Sequence, residues 1–484
     1  ARFNSHSRMR PALSEVASRL PSGETDAAKI VFLRSSIRAS SSPVAALQRM
    51  TCPEPWRVGV PWRVRAASPL ELLALAPVQS PASESTPSGA PSAAHSRAAY
   101  LVNVGSWFGG MGMQQVLFSW IVVGELQASG EWVGIAQTSA LLPGLGLWMV
   151  AGALADRWDP RRLLAVLHLL AVIPVVGLAV LSAWGRLDLP LLVGFGLTVG
   201  TLGALAMPAR DSLLTRVAGG DLLRAVTGMT AMQFGAQAAG TLAAGLARLT
   251  GSSFMLLVQA GVFLLGSASA LRLPRARPES LIRGRLRFRE LGGGLATVAR
   301  EPALRGPFFL VVAVGVLFVG PYWVIFPLLV RDYYHLGIDA LSLVLMLFPL
   351  GTILGSLVLR SRGLGRKGLA ALLALVVGAS SQLVISSGIP YAALLGLVLV
   401  WGLAGSVFIN CSRTLFQQAA PQQGRGRVLA IYQLGFTGGG PAGALLAGFG
   451  AEAVGLHTTL VFSSCGMLVI VAAMALFSDV SRLR

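Results

Sequence analysis

The sequence predicts an all-α polytopic membrane protein: twelve transmembrane helices in two pseudo-symmetric six-helix halves. Three observations carry that prediction. Hydrophobic residues make up 54% of the 484 residues and charged residues 12%, a balance too apolar for ordinary soluble domains. Beyond residue 98 the chain breaks into runs near the ~20 mainly apolar residues that cross a hydrocarbon core. The second set of runs also repeats the first at an offset of about 200 residues, the signature of parallel repeats about an axis along the membrane normal.

The runs fall at 99–124, 131–154, 163–183, 189–208, 224–248 and 253–271, then at 307–330, 340–359, 368–387, 391–411, 428–449 and 456–477. The first contains SWFGGMGMQQVLFSWIV, apolar but interrupted by glycine and glutamine. The second ends in GALADRWDPRR, and Pro160 suits the first turn of the third. The fourth leads into PARDSLL from Pro208, which resembles the segment from Ser412 after the tenth. The repeat is clearest between the fifth and eleventh runs, where Gln233, Gly235, Gly240 and Ala244 lie over Gln433, Gly435, Gly440 and Ala444. The seventh run is rich in aromatics, and the eighth ends in GSLVLRSRGLGRKG, basic like the loop after the second run but without an acid.

This divides the chain into a low-complexity tail (1–97), a first half (98–272), a basic linker (273–306) and a second half (307–480). The tail holds clusters such as SPASESTPSGAPSAAHS that cannot bury a core, so we expect disorder there. It is Arg- and Ser-rich like a transit peptide, but its prolines and acids suit a dispensable tail or an overextended gene start better. The linker alternates Leu, Ile and Phe with arginine and then takes helical spacing, as an interfacial helix or a positively charged topology tether would.

The net charge of +19 matters through its distribution. One set of loops and the termini collect 24 of the 27 cations beyond residue 97, leaving Arg186, Arg248 and Arg331 opposite. The positive-inside bias puts both termini and the 156–162 and 272–305 loops in the cytoplasm. No aromatics interleave with a basic groove, so we expect membrane lipids and a small-molecule substrate as partners, no nucleic acid, and a monomer. Cys52, Cys411 and Cys465 form neither a ligand spacing nor an even framework, so neither metal nor disulfide is expected. No HExxH, GxSxG, P-loop or paired intramembrane acid is present; we expect a non-enzyme without cofactor, driven by an ion gradient or its substrate's own gradient.

GALADRWDPRR resembles the loop between helices 2 and 3 of the major facilitator superfamily. The helix 1 segment, the Leu142-Pro143 pair, PARDSLL and FRELGGGLATVAREPALR resemble its drug and siderophore exporter branch, the enterobactin-exporter-like group, over residues 98–480. The resemblance implies a secondary exporter working by alternating access in a bacterial cytoplasmic membrane, with proton coupling. It also implies a conformational latch: Gly152 allows close helix approach, and Asp156 faces the first turn of helix 11, whose N–H groups and dipole favour an anion. Arg157, Arg161 and Arg162 pair with acids or lipid phosphates, although such arginines also serve topology alone.

Helices 1, 4, 7 and 10 would surround the cavity, with Asn103, Gln114, Gln115, Gln233, Gln237, Tyr322, Trp323, Asn410 and Gln433 as substrate-facing candidates or interhelical glue. Gly439, Gly440, Pro441 and Gly443 resemble the glycine-proline exporter signature and serve helix packing. The usual place for that signature is helix 5, where this chain has Gly240-Thr241. Related exporters often carry an acid where this chain has Gly110, so the coupling candidates reduce to Asp211 beside Arg210, with Glu125, Asp332 and Glu452 near helix ends. Uptake or lysophospholipid flipping on the same fold, and a non-transporting membrane sensor, are the competing expectations.

Overall fold

A computed structural model of the chain describes residues 93–147, 151, 154, 158–217, 222–274, 288–362, 365–421 and 425–483. The tail up to residue 92, and with it most of the expected low-complexity segment, lies outside the described residues. So do Gly152, Asp156 and Arg157 of the expected latch.

Lipid offers backbone N–H and C=O groups no partner, so an apolar chain must close its hydrogen bonds within helices. Numbering the long helices in order gives α1 (Ala93–Trp120), α2 (Gly130–Leu141), α3 (Pro160–Ala183), α4 (Leu189–Val217), α5 (Leu222–Ala244) and α6 (Ser252–Ala270). After a 13-residue linker helix, Phe288–Arg300, come α7 (Pro302–Tyr333), α8 (Ile338–Arg362), α9 (Lys367–Ile385), α10 (Tyr391–Ala419), α11 (Arg425–Val454) and α12 (Leu456–Phe477). Among the described residues eight of these are long and apolar enough to span a bilayer: α3, α4, α6 to α10 and α12. The others, α1, α2, α5 and α11, are interrupted by glycines and glutamines, several of which meet a neighbouring helix.

Local chemistry sets the helix starts. Asp159 caps α3 by accepting the Arg161 N–H at 3.1 Å, with Pro160 at the first helical position. Asp188 does the same for α4 through the Leu191 N–H at 2.8 Å. Gly251 and Gly455 turn the chain into α6 and α12 with φ of 83° and 87°, a region open to glycine at no steric cost.

The backbone itself repeats. A π turn ends α1 at Ile121–Glu125 and another ends α7 at Leu329–Tyr333. Each is followed two residues later by a non-glycine residue at positive φ, Gln127 at 50° and His335 at 53°. The turns before α4 and α10 match through Gly185 and Gly388, as Gly251 matches Gly455. Every described left-handed residue thus has a counterpart in the other half.

Helix contacts repeat likewise. α1 packs on α5 as α7 packs on α11, and α2 on α4 as α8 on α10. The halves meet mainly along α2–α11 and α5–α8. A Cβ on Gly240 would overlap the Gly109 backbone between α5 and α1. In the second half a Cβ on Gly439 would lie 2.8 Å from Gly315 Cα, and one on Gly443 would overlap the Val316 carbonyl. Backbone-to-backbone contact of this kind supplies the dispersion energy that hydrophobicity cannot supply within lipid. The linker helix packs on α11 and on the start of α7, with Val298 buried.

Candidate functional site

The halves are pinned together at the end of the bundle that carries the α1–α2 and α7–α8 turns, here called the turn end. Arg331, in the π turn of α7, donates through Nη1 to the carbonyls of Val123 at 2.6 Å and Ala128 at 3.0 Å in the other half. Those carbonyls flank the C-terminus of α1, where unpaired C=O groups and the helix dipole attract a cation. Asp332 holds the guanidinium in place through Nε and through Nη2 at 2.8 Å. Arg331 therefore caps a helix belonging to the opposite half.

Three further contacts reinforce it. The Gly130 N–H at the start of α2 donates to a Glu452 carboxylate oxygen at 3.2 Å near the end of α11. Arg248, after α5, pairs with Asp339 at the start of α8 at 2.6 Å, both side chains substantially exposed. Deeper in the bundle, Thr138 Oγ1 donates to the Pro441 carbonyl at 3.0 Å. Between Gly130 and Thr138, a Cβ on Gly134 would lie 2.8 Å from the Ala444 carbonyl oxygen and 3.1 Å from Gly448 Cα, so α2 and α11 touch backbone to backbone.

The substrate-facing candidates divide by environment. Asn103 is fully buried and donates to the Gly266 carbonyl at 3.0 Å; Gln114 accepts from Gln259 at 2.6 Å. Both bind α6 inside the first half and are withdrawn from any central pathway in this conformation. Gln115 accepts from Gln237 at 3.2 Å across the α1–α5 contact, both half-buried. Gln233 and Gln433 are half-buried and Asn410 is exposed, its amide donating to the Ser406 carbonyl at 2.8 Å. Tyr322 is buried, donating to the Leu345 carbonyl at 2.8 Å, and its ring packs with Trp323, Phe326, Phe348 and Trp401 at centroid distances of 4.8 to 5.8 Å. This aromatic block joins α7, α8 and α10.

Of the coupling pair, Asp211 is exposed, whereas Arg210 is 1% exposed. The Arg210 guanidinium lies 5.4 Å from the Trp107 ring centre and 4.9 Å from that of Phe108, with Nη1 on Met207 Sδ at 3.5 Å. Its Nε and Nη2 have no hydrogen-bond partner among the described residues. The neighbouring Asp211 lies in the electrostatic range of Arg210 and also of Arg413, on α10 of the other half. In the latch segment Arg161 is half-buried and Arg162 exposed.

The sequence marked Arg331 only as a cation on the sparsely charged side, and Asp332 and Glu452 only as helix-end acids. Their union at the turn end depends on how the halves dock. The one sequence signal for it was an arginine on the side that the charge bias otherwise clears.

Two repeated halves, docked along α2–α11 and α5–α8, define an integral membrane transporter of the major facilitator superfamily. Within it, the chain belongs to the transmembrane secretion effector family, whose profile matches residues 93–482. It is 28% identical over 376 residues to the multidrug efflux pump Tap of Mycolicibacterium fortuitum, covering 75% of this chain and 90% of that protein. It is 29% identical over 370 residues to Tap of Mycobacterium tuberculosis, covering 72% and 85%. Among solved structures it resembles the nucleoside transporter NupG with a TM-score of 0.63, at 14% identity over 80% of this chain and 98% of that one. It also resembles a bacterial homologue of the human lysosomal transporter Spinster, in an inward-facing and unoccupied conformation, with a TM-score of 0.60 at 11% identity over 81% and 97%. The last two likenesses concern the fold.

Proposed function

We propose that this transporter exports bulky, amphiphilic small molecules of drug or siderophore type by alternating access, in exchange for protons, across a bacterial cytoplasmic membrane. Both termini lie in the cytoplasm in this reading, and the conformation described is the inward-open one. The observation that carries it is the placement of the described contacts between halves: Arg331 with Val123 and Ala128, Gly130 with Glu452, Arg248 with Asp339, and Thr138 with Pro441 all favour a closed turn end. The positive-inside bias makes that end the outer one. The Tap relatives support efflux as the direction. The half-buried Gln115, Gln233, Gln237, Gln433 and Trp323, with exposed Asn410, suit a substrate that is part apolar and part hydrogen-bonding.

On closing the cytoplasmic end, Asp156 meets the first turn of α11 while Gly152 admits the close approach and Arg157, Arg161 and Arg162 bind acids or lipid phosphate. Asp211 and Arg413 approach each other in the same movement, adding an attraction across the α4–α10 opening. Residues 1–92, ahead of α1, are dispensable for transport. The test uses everted membrane vesicles energised by respiration, with ethidium as the probe. The wild type accumulates ethidium and Asp156→Asn, inserted at equal level, loses most of that activity. Normal accumulation by a well-expressed Asp156→Asn protein would remove the latch, and accumulation only in right-side-out vesicles would reverse the direction.

A further inference from the structure

Proton exchange needs a group that takes up and releases a proton within the membrane, and the described residues place no acid there except the exposed Asp211. They do place a histidine. His168 is fully buried on α3, eight residues or ~12 Å along the helix from Pro160. A buried ionisable side chain at this depth is rare in membrane helices unless it is used.

Both ring nitrogens face acceptors. Nδ1 lies 2.8 Å from the Leu164 carbonyl, so that nitrogen carries the proton of the neutral ring. Nε2 lies 3.4 Å from Ser106 Oγ, which is itself 2.9 Å from the Asn103 carbonyl. In the neutral ring the Nε2 lone pair faces Ser106 Oγ, whose hydrogen is shared between Nε2 and the Asn103 carbonyl. Protonation turns Nε2 into a donor to Ser106 Oγ and leaves the serine hydrogen on the Asn103 carbonyl. Gly266 on α6 makes the room, since a Cβ there would overlap both the imidazole and Ser106 Oγ.

We propose that His168 is the proton-binding site of this transporter, its imidazolium held by the Leu164 carbonyl and by Ser106 Oγ. The proposal rests on the proton-exchange reading above. In the step itself the Nε2 lone pair takes a proton from water and later returns it on the other side of the membrane; no other bond changes. The charged groups on the surrounding helices are few. α4 presents Arg210, its guanidinium 5.4 Å from the centre of the Trp107 ring that itself packs on His168 at 5.0 Å, with Asp211 next in sequence. α1 adds the titratable Tyr100, hydrogen-bonded to the Arg210 carbonyl, and α6 presents Phe263 and Gly266. Proton uptake therefore sets two cations against the same Trp107 ring. Their repulsion drives Arg210 towards Asp211, and α1 and α4, two helices that line the pathway, respond together.

The test titrates full-length protein carrying 15N-labelled histidine, in nanodiscs, from pH 4 to pH 9. The chain has five histidines, so single His→Gln variants assign the signals. A reversible titration should vanish in His168→Gln, and Ser106→Ala, which keeps the histidine, should weaken proton binding about tenfold by removing one acceptor. A His168 signal that does not change over this range, or a midpoint unmoved in Ser106→Ala, overturns the proposal. In everted vesicles with an imposed pH gradient, His168→Gln should lose gradient-driven ethidium accumulation yet keep ethidium exchange at equilibrium. Full gradient-driven accumulation by His168→Gln also overturns it. If the wild type ignores the gradient, the proton-exchange reading fails instead, and the titration then decides alone whether His168 binds a proton.

Discussion

Replacing Arg331 with methionine keeps most of the side-chain volume and removes the charge that joins the two halves at the turn end. Two hydrogen bonds from a charged donor are lost, at 2.6 and 3.0 Å, to the carbonyls of Val123 and Ala128. The Arg331 side chain is 16% exposed, so water competes only partly, and each bond contributes about 1.5 kcal/mol, at the lower end for charged partners. Asp332 is 41% exposed and stays solvated, so no buried charge is orphaned by the change. Together the two bonds amount to about 3 kcal/mol, roughly a hundredfold change in the equilibrium between closed and open turn ends. A protein closed in about 99% of molecules would then be open in about half. Spin labels at Arg186→Cys and Ser387→Cys, in a background without Cys52, Cys411 and Cys465, report the distance between the outer turns of the two halves by double electron–electron resonance. Arg331→Met should add a longer-distance population, and Arg331→Lys, which can still donate, a smaller one. A distance distribution in Arg331→Met identical to that of the parent would refute the reasoning.

The other expectations rest on contacts deeper in the bundle. Gly134→Leu forces α2 away from Ala444 and Gly448 at a cost of about 1–3 kcal/mol, and the same spin-label pair should show the turn end opening. Gly240→Val acts within one half, where it drives a side chain into the Gly109 backbone; it should lower folding stability by about 3 kcal/mol, read as lost monodisperse protein after detergent extraction. Arg210→Met replaces a buried, incompletely paired charge with an apolar side chain and should raise stability by about 1–4 kcal/mol while impairing transport. A marked fall in melting temperature for Arg210→Met would mean that the guanidinium is better satisfied than its described partners show.

How much of this was legible in the sequence depended on the range of the interaction. The start of α3 at Pro160 could be read directly, because a cap and a proline act within one turn. The pairing of Gly240 with Gly440 carried over less well: Gly240 meets the Gly109 backbone, whereas on α11 the backbone contacts with α7 fall to Gly439 and Gly443, and Gly440 faces only the Leu141 and Val319 side chains. Asn103 and Gln114 looked like pathway residues because a polar side chain in an apolar helix has two uses, substrate or neighbour. Their direction around α1 gave them to α6. His168 drew no attention at all, since one histidine in an apolar run carries no spacing pattern. Its meaning comes from acceptors on its own helix and on α1, and from the gap left by Gly266 on α6.

The sequence alone determined that this chain is a helical membrane protein of two repeated halves with its cations gathered on one set of loops. Apolar length, charge bias and internal repetition are properties of the chain as written, and the bilayer turns each of them into structure. The tertiary structure decided which polar groups meet, and at which end of the bundle. Arg331 reaches Val123 and Ala128 across about 200 residues of chain, and Gly130 reaches Glu452 across 322. Hydrogen bonds act over about 3 Å, so which groups they join is fixed only once α2 and α11 have docked through glycine.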